Sequence, residues 1–172
     1  RLASSLAGSQ AALGAIPYGL SSDLGDTFCG TDLSSACNCL RSRKTKVIDL
    51  GQIGKNKYFL SDACIIPENP MKCVIEIDGE YSLEAKMHYF SINSHLGVTF
   101  FTGLPKKKSW WKKGKNESED PKTSLIAKNH VKIFTSEPFS VTVSGHEIVK
   151  TPVQITKAKE VLKIITNRDT IN

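Results

Sequence analysis

The apolar positions of this chain change period once, near Lys46. Before that point they recur at helical spacing. Residues 1–12 are rich in Ala, Ser and Leu, with Leu2 and Leu6 one turn apart, which predicts a short helix ending near Gly8 or Ser9. Leu13-Gly-Ala-Ile16 is a brief apolar run halted by Pro17, and residues 17–23 have the Pro, Gly, Ser and Asp content of a structured loop. Leu33, Ala36, Cys37 and Leu40 then fall at i, i+3, i+4 and i+7 behind Thr31 or Asp32, either of which can cap a second helix. Arg41, Arg43, Lys44 and Lys46 follow, where positive charge complements a helix C-terminus.

From Val47 onward the runs are extended: 47–53, 58–66, 73–77, 86–92, 98–101, 131–134, 139–143, 153–155 and 161–165. Several alternate as half-buried antiparallel strands do, and Gly, Pro, Asn and Asp separate them. The predicted fold is mainly β, with short helices at the N-terminus and an antiparallel β-sandwich or barrel behind them. Residues 1–46 form the helical part and 47–172 the β domain, interrupted at 104–123 by an exposed loop without apolar periodicity, bracketed by Pro105 and Pro121.

Composition agrees with a globular chain: 40% of the 172 residues are hydrophobic and 23% charged, far from the composition of disordered proteins. The net charge of +6 is local. Lys106, Lys107, Lys108, Lys112, Lys113 and Lys115 fall within ten residues, and the remaining 17 basic and 17 acidic residues cancel. One basic segment on a neutral body argues for a local anionic contact rather than a broad nucleic-acid face. Trp110 and Trp111 sit among the lysines, so the segment can neutralise phosphates while an indole stacks on an unpaired RNA base or lies at a lipid headgroup layer. Glu117, Glu119 and Asp120 partly offset the charge.

The five cysteines, Cys29, Cys37, Cys39, Cys64 and Cys73, are odd in number and contain no Cys-x-x-Cys pair. They read as reduced thiols of an intracellular, reducing compartment, and finger-like zinc spacing is missing, so no metal is expected. His88, His95, His130 and His146 belong to no catalytic motif, and no Gly-x-Ser-x-Gly elbow exposes a nucleophile. No stretch reaches the ~18 to 20 apolar residues needed to cross a bilayer. The sequence does not begin with Met, which points to processing or truncation upstream of Arg1.

Three stretches in order resemble one family. Leu13-Gly-Ala-Ile-Pro-Tyr-Gly-Leu-Ser-Ser-Asp-Leu-Gly25 is similar to the lipid-kinase segment of glycine, two apolar residues, Pro, apolar, Gly, Thr, any residue, Asn, Asp, Phe and Ala. The helix at 33–40 leads into Lys46-Val-Ile-Asp-Leu-Gly51, similar to that family's "isoleucine, Asp, apolar, Gly". Tyr58-Phe59-Leu60 lies where the family opens a C-terminal β-sandwich with "tyrosine, Phe, apolar, Asn". Residues 139–147, Pro152-Val-Gln-Ile155 and Val161-Leu-Lys-Ile164 resemble its closing strands, in which an Asp-Gly-Glu turn precedes "proline, apolar, any, apolar". The family is that of diacylglycerol and sphingosine kinases.

The resemblance implies a two-lobed kinase whose N-terminal lobe holds ATP on a Gly-Gly-Asp-Gly-Thr loop, with Mg²⁺, while the sandwich completes the site. That loop would stand just before residue 1 and does not occur in this sequence. Pro17, Gly19 and Asp23 keep the family's residue types, but Leu20 replaces Thr and Ser22 replaces Asn. At the last turn Ser144 replaces Asp and His146 replaces Glu, with Glu147 displaced by one position, a step that reverses the facing side of a strand. Asp78-Gly79-Glu80 spells the intact triplet, but its place before the middle strands fits a plain hairpin turn. Phosphoryl transfer depends on positioning and charge neutralisation around the phosphates, so losing the cradle loses the reaction.

The expectation is a lipid-kinase-like scaffold without catalysis and without a cofactor, in which Pro17, Gly19, Asp23 and Glu147 are vestigial. It would serve as a subunit of a larger assembly, an organellar (mitochondrial) ribonucleoprotein or a membrane-associated complex, with Lys106 to Lys115 as a contact to RNA or an anionic membrane surface. The alternative is an active lipid kinase seen as a fragment, using ATP and Mg²⁺ on diacylglycerol or a sphingoid base. A stand-alone lipid-surface module is a third class.

Overall fold

The computed structural model describes residues 2–16, 28–29, 32–102 and 122–166, with Lys122 described in its backbone alone. In chain order the elements are α1 (Leu2–Leu6), β1 (Ala12–Leu13), α2 (Leu33–Ser42), β2 (Thr45–Ile53), β3 (Lys57–Phe59), β4 (Ala63–Ile65), β5 (Met71–Ile77), β6 (Tyr81–Met87), β7 (Tyr89–Ile92), β8 (Gly97–Phe101), β9 (Lys122–Ile126), β10 (His130–Thr135), β11 (Ser140–Val143), β12 (His146–Lys150) and β13 (Val153–Ile165). The chain is mainly β, as its periodicity predicts. One sheet runs β3-β2-β13-β10-β5-β6, with β1 added to β13, and the other runs β12-β11-β4-β7-β8-β9. The sandwich pairings are antiparallel; β1 joins β13 in parallel.

The contacts divide the chain into two compact units, residues 1–50 with 158–172 and residues 51–157, so β2 and β13 each contribute to both. In the first unit α2 starts where sequence chemistry demands. Asp32 sits in extended backbone and its carboxylate accepts from the Ser35 amide at 2.8 Å; the Ser35 side chain first, and then this amide, hold the Asp32 carboxyl below its ordinary range. Arg43, at φ 53, closes the other end in the left-handed conformation. Ala36 and Cys39 are the buried residues of this helix, whereas Leu33 is 63% exposed and Cys37 lies on the surface. The inward face is therefore rotated from the one that Leu33 and Cys37 predict. On that inward face Cys39 is bonded to Cys29, with their Cα atoms 5.8 Å apart. This corrects the reading of five reduced thiols, leaving Cys37, Cys64 and Cys73 free. Spacing rules missed the pair because tertiary packing brings the two residues together.

Helix α1 ends at Leu6, close to the predicted stop at Gly8 or Ser9, and Gly8 takes φ 73 and donates its amide to the Val161 carbonyl at 2.7 Å. Deeper in this unit Phe28, Leu50, Leu162 and Ile164 are buried, and the Thr166 hydroxyl donates to the Phe28 carbonyl at 2.8 Å.

The second unit is the sandwich. Its core interleaves both sheets: Ile75, Ile133 and Ile155 from one, Ile65, Phe90, Val98 and Phe100 from the other. Where apolar runs were predicted to be continuous, the chain instead changes sheet. Run 58–66 breaks at Leu60 to Asp62 into β3 and β4, and run 86–92 breaks at His88 into β6 and β7. Conversely, runs 153–155 and 161–165 are parts of the single strand β13, which tolerates a left-handed Glu160 whose amide is taken by the Asp49 carboxylate at 2.8 Å. Strands β9 and β12, and the first part of β6, were not predicted, because their exposed, mixed polar sequences carry little apolar alternation.

Asp78-Gly79-Glu80 forms a plain hairpin turn between β5 and β6, with Asp78 at φ 54 and Gly79 at φ 73. Asp78 does more than turn the chain. Its carboxylate accepts the backbone amides of Lys128, Asn129 and His130 at 2.8, 2.8 and 2.9 Å, tying the β5–β6 corner to the β9–β10 loop. At one edge of the sandwich Lys57 on β3 donates its ammonium to the Ile148 carbonyl on β12 at 2.6 Å. At the other edge, between β6 and β9, Ile75, Ile77, Leu83, Leu125 and the exposed Tyr81 and Ile126 line a groove of about 570 Å³.

Candidate functional site

The turn joining β11 to β12 stands where the resemblance expects catalytic acids. Val143 pairs with His146, leaving Ser144 and Gly145 as a two-residue loop at φ 50 and 77, the backbone of a tight hairpin. The Ser144 hydroxyl lies 3.2 Å from that of Ser61, which occupies the position after Tyr58-Phe59-Leu60. His146 is exposed. Glu147 opposes Thr142 on β11 and accepts a 2.6 Å hydrogen bond from the Ser140 hydroxyl. Thr142 donates in turn to the Cys64 carbonyl at 3.3 Å. What collects here is a set of hydroxyls and one carboxylate already engaged with a neighbour.

Beside it, burial and the nearby Asp62 push the Cys64 thiol up, away from the thiolate form that a nucleophile needs. The Tyr89 phenol is lowered by its bond with Ser91, yet burial and the neighbouring Cys64 and Asp62 leave it above its ordinary value. Burial alone pushes Cys73 to about 11.

Of the residues singled out from sequence, Glu147, Ser144 and His146 fall on this turn. Pro17, Gly19, Leu20, Ser22 and Asp23 lie outside the described residues, as do Lys106, Lys107, Lys108, Trp110, Trp111, Lys112, Lys113 and Lys115.

Sequence reasoning missed a cross-strand polar row of the second sheet whose central residue, Ser91, is buried. There β4, β7 and β8 place Cys64, Ser91 and Thr99 in register, beside Tyr89 and Phe101. Tracing the alternation of Tyr89-Phe-Ser-Ile92 against that of residues 97–101 would have revealed it.

With this geometry in hand, comparison with solved structures is informative. A diacylglycerol kinase from Bacillus anthracis strain Sterne superimposes with a TM-score of 0.68 at 17% identity, over 93% of this chain and 68% of that one. Two chains from the same strain, described as candidate diacylglycerol kinases, give 0.67 at 14% identity, over 91% and 69%, and 0.72 at 16% identity, over 98% and 74%. The fold is that of diacylglycerol kinases. No protein-family model and no curated protein matches the sequence.

Among the described residues no group of three His, Cys, Asp or Glu side chains could hold a metal ion. The turn carries the Ser144 hydroxyl, 3.2 Å from that of Ser61, and the exposed His146 imidazole, while Glu147 accepts from Ser140.

Proposed function

We infer that this chain is a non-catalytic scaffold with a lipid-kinase fold, an interaction subunit of a larger assembly whose lysine-rich segment is one contact to an anionic partner. The observation that carries the reading is the β11–β12 turn. Ser144 and His146 cannot neutralise a triphosphate and its magnesium as Asp and Glu would, and Glu147, one step along, belongs to the row formed with Ser140 and Thr142. Leu20 and Ser22 in place of Thr and Asn support the same reading from the sequence.

The direct test supplies the full gene product with ATP, Mg²⁺ and either diacylglycerol or a sphingoid base and looks for phosphorylated lipid. No transfer above the protein-free blank is expected. Turnover that disappears in Glu147→Gln would overturn the scaffold reading and establish an active lipid kinase. A second test asks what co-purifies. The chain is expected in a large complex at low salt, and replacing Lys106, Lys107, Lys108, Lys112, Lys113 and Lys115 by glutamine should weaken its retention; retention unchanged at low and high salt removes that contact.

A further inference from the structure

Strand β6 ends its sheet: β5 pairs with it on one side, and among the described residues no strand pairs with the other. That margin is open. Ser82, Glu84 and Lys86 are exposed along it, and Tyr81 at its start is 69% exposed. An unpaired margin presents a row of amide and carbonyl groups able to take up one more strand, and the side chains decide which strand that is. Leu83, Ala85 and Met87 alternate with the polar residues and pack on the core side.

Charge on the outward row is incompletely matched within the sheet. The Lys72 ammonium on β5 lies 2.6 Å from the Glu84 carboxylate, with both side chains well exposed. Lys86, however, stands directly opposite Lys72, so two ammonium groups share one carboxylate, and among the described residues no acid forms an ion pair with Lys86. Like charges directly opposite one another weaken a sheet.

Antiparallel pairing of β6 with the same strand of a second copy supplies the missing anion. A two-fold axis relates two such strands, so the residue on the axis faces itself and the residues on either side of it face each other. With Ala85 on the axis, Glu84 of each copy stands opposite Lys86 of the other. On the core side Leu83 then faces Met87, and the small Ala85 faces itself, so that row is apolar throughout. Moving the axis by one residue sets Glu84 against Glu84 in one direction and Lys86 against Lys86 in the other. The strand is thus its own complement, in charge and in facing side, at this register.

We propose that two copies of this chain associate through β6, antiparallel about Ala85, with reciprocal Glu84–Lys86 pairs across the axis. The contact is independent of the scaffold reading, because no residue of the β11–β12 turn takes part in it.

Sedimentation of the full chain over a concentration series reads the dimer directly. A seven-residue edge makes a small interface, so half-association is expected on the order of 10 μM and should weaken as salt rises. Glu84→Lys or Lys86→Glu alone creates two like-charge pairs across the axis and should weaken association about tenfold or more. Mixing the two single variants restores opposite signs at both pairs, as does combining both substitutions in one chain, and each should recover to within about threefold of wild type. Both positions are exposed, and melting temperatures check that the variants fold. Zero-length carbodiimide coupling in a mixture of unlabelled and isotope-labelled wild-type chains needs no variant, and should yield a Glu84–Lys86 amide joining one peptide of each kind. A chain that stays monomeric at about 100 μM, with its β6 margin left open or taken up by a different protein, overturns the proposal. A dimer indifferent to both reversals, single variants that fail to recover on mixing, or coupling confined to peptides of one isotope does the same.

Discussion

Substituting alanine for Gly51 probes the closest approach in the sandwich. Gly51 on β2 pairs directly with Phe59 on β3, and a Cβ built there would lie 2.2 Å from the ring's Cζ and 2.5 Å from both Cε atoms. Carbon atoms in contact rest about 3.5 to 4.0 Å apart, so the ring would have to retreat by more than ~1 Å. It has little room to do so. Phe59 is 2% exposed and belongs to the core with Ile53, Ala63 and Val141. Forcing an extra methyl into such packing costs about 1–3 kcal/mol, against which the reduced freedom of the unfolded chain returns about 0.4–1 kcal/mol. A net loss of about 1–2 kcal/mol corresponds to a fall in Tm of roughly 2–8 °C for a chain of this size, measurable by calorimetry or thermal circular dichroism. Phe59→Leu supplies the control by shrinking the obstructing ring. In that background Gly51→Ala should cost clearly less than in wild type, a coupling read from the double-mutant cycle. Strict additivity of the two substitutions, or a Gly51→Ala protein as stable as wild type, would refute the reasoning.

Three other outcomes are expected. Asp78 has its carboxyl held below the ordinary range by bonds from His130, Lys128 and Asn129, so its contribution is present above about pH 4, the unfolded value, and is lost as pH falls through the lower folded one. Asp78→Asn should therefore destabilise at neutral pH by on the order of 1 kcal/mol after solvent screening, and the difference from wild type should shrink in acid; urea melts at several pH values check it. Thiol titration without reductant should label Cys37 at once and Cys64 and Cys73 slowly, with Cys29 and Cys39 reacting only after reduction; five equivalent thiols in the unreduced protein would contradict the Cys29–Cys39 bond. Phe100→Ala should cost about 3–5 kcal/mol, since this ring is 2% exposed within the core, and a urea midpoint near wild type would count against that packing.

Much of the architecture is legible in the sequence because period-2 burial leaves a strong mark where strands are apolar on one face. The mark at residues 73–77 and 131–134 is clear, and these segments are the paired strands β5 and β10. It fades at β9 and β12, whose alternating positions include Thr, Ser, His and Glu, and it misleads at Leu60 and His88, because an apolar run looks the same whether it continues or crosses to the other sheet. The inward face of α2 carries a covalent bond between Cys29 and Cys39 that no spacing rule encodes. For the candidate site, the resemblance to lipid kinases identified Ser144, His146 and Glu147 as departures from the family's turn. It could not say that Ser61 and Ser140 would engage two of them, since those partners come from residues brought near by folding. The Tyr89 and Phe101 face was hidden for a related reason: cross-strand neighbours are a property of register, which a single sequence leaves unspecified.

The Lys57 ammonium that clasps the Ile148 carbonyl makes the sandwich asymmetric. One margin is stitched by that clasp, while the margin between β6 and β9 parts around a groove pinned at the β5–β6 corner by the Asp78 carboxylate. Removing that pin with Asp78→Asn should let amide protons of β6 exchange with solvent sooner.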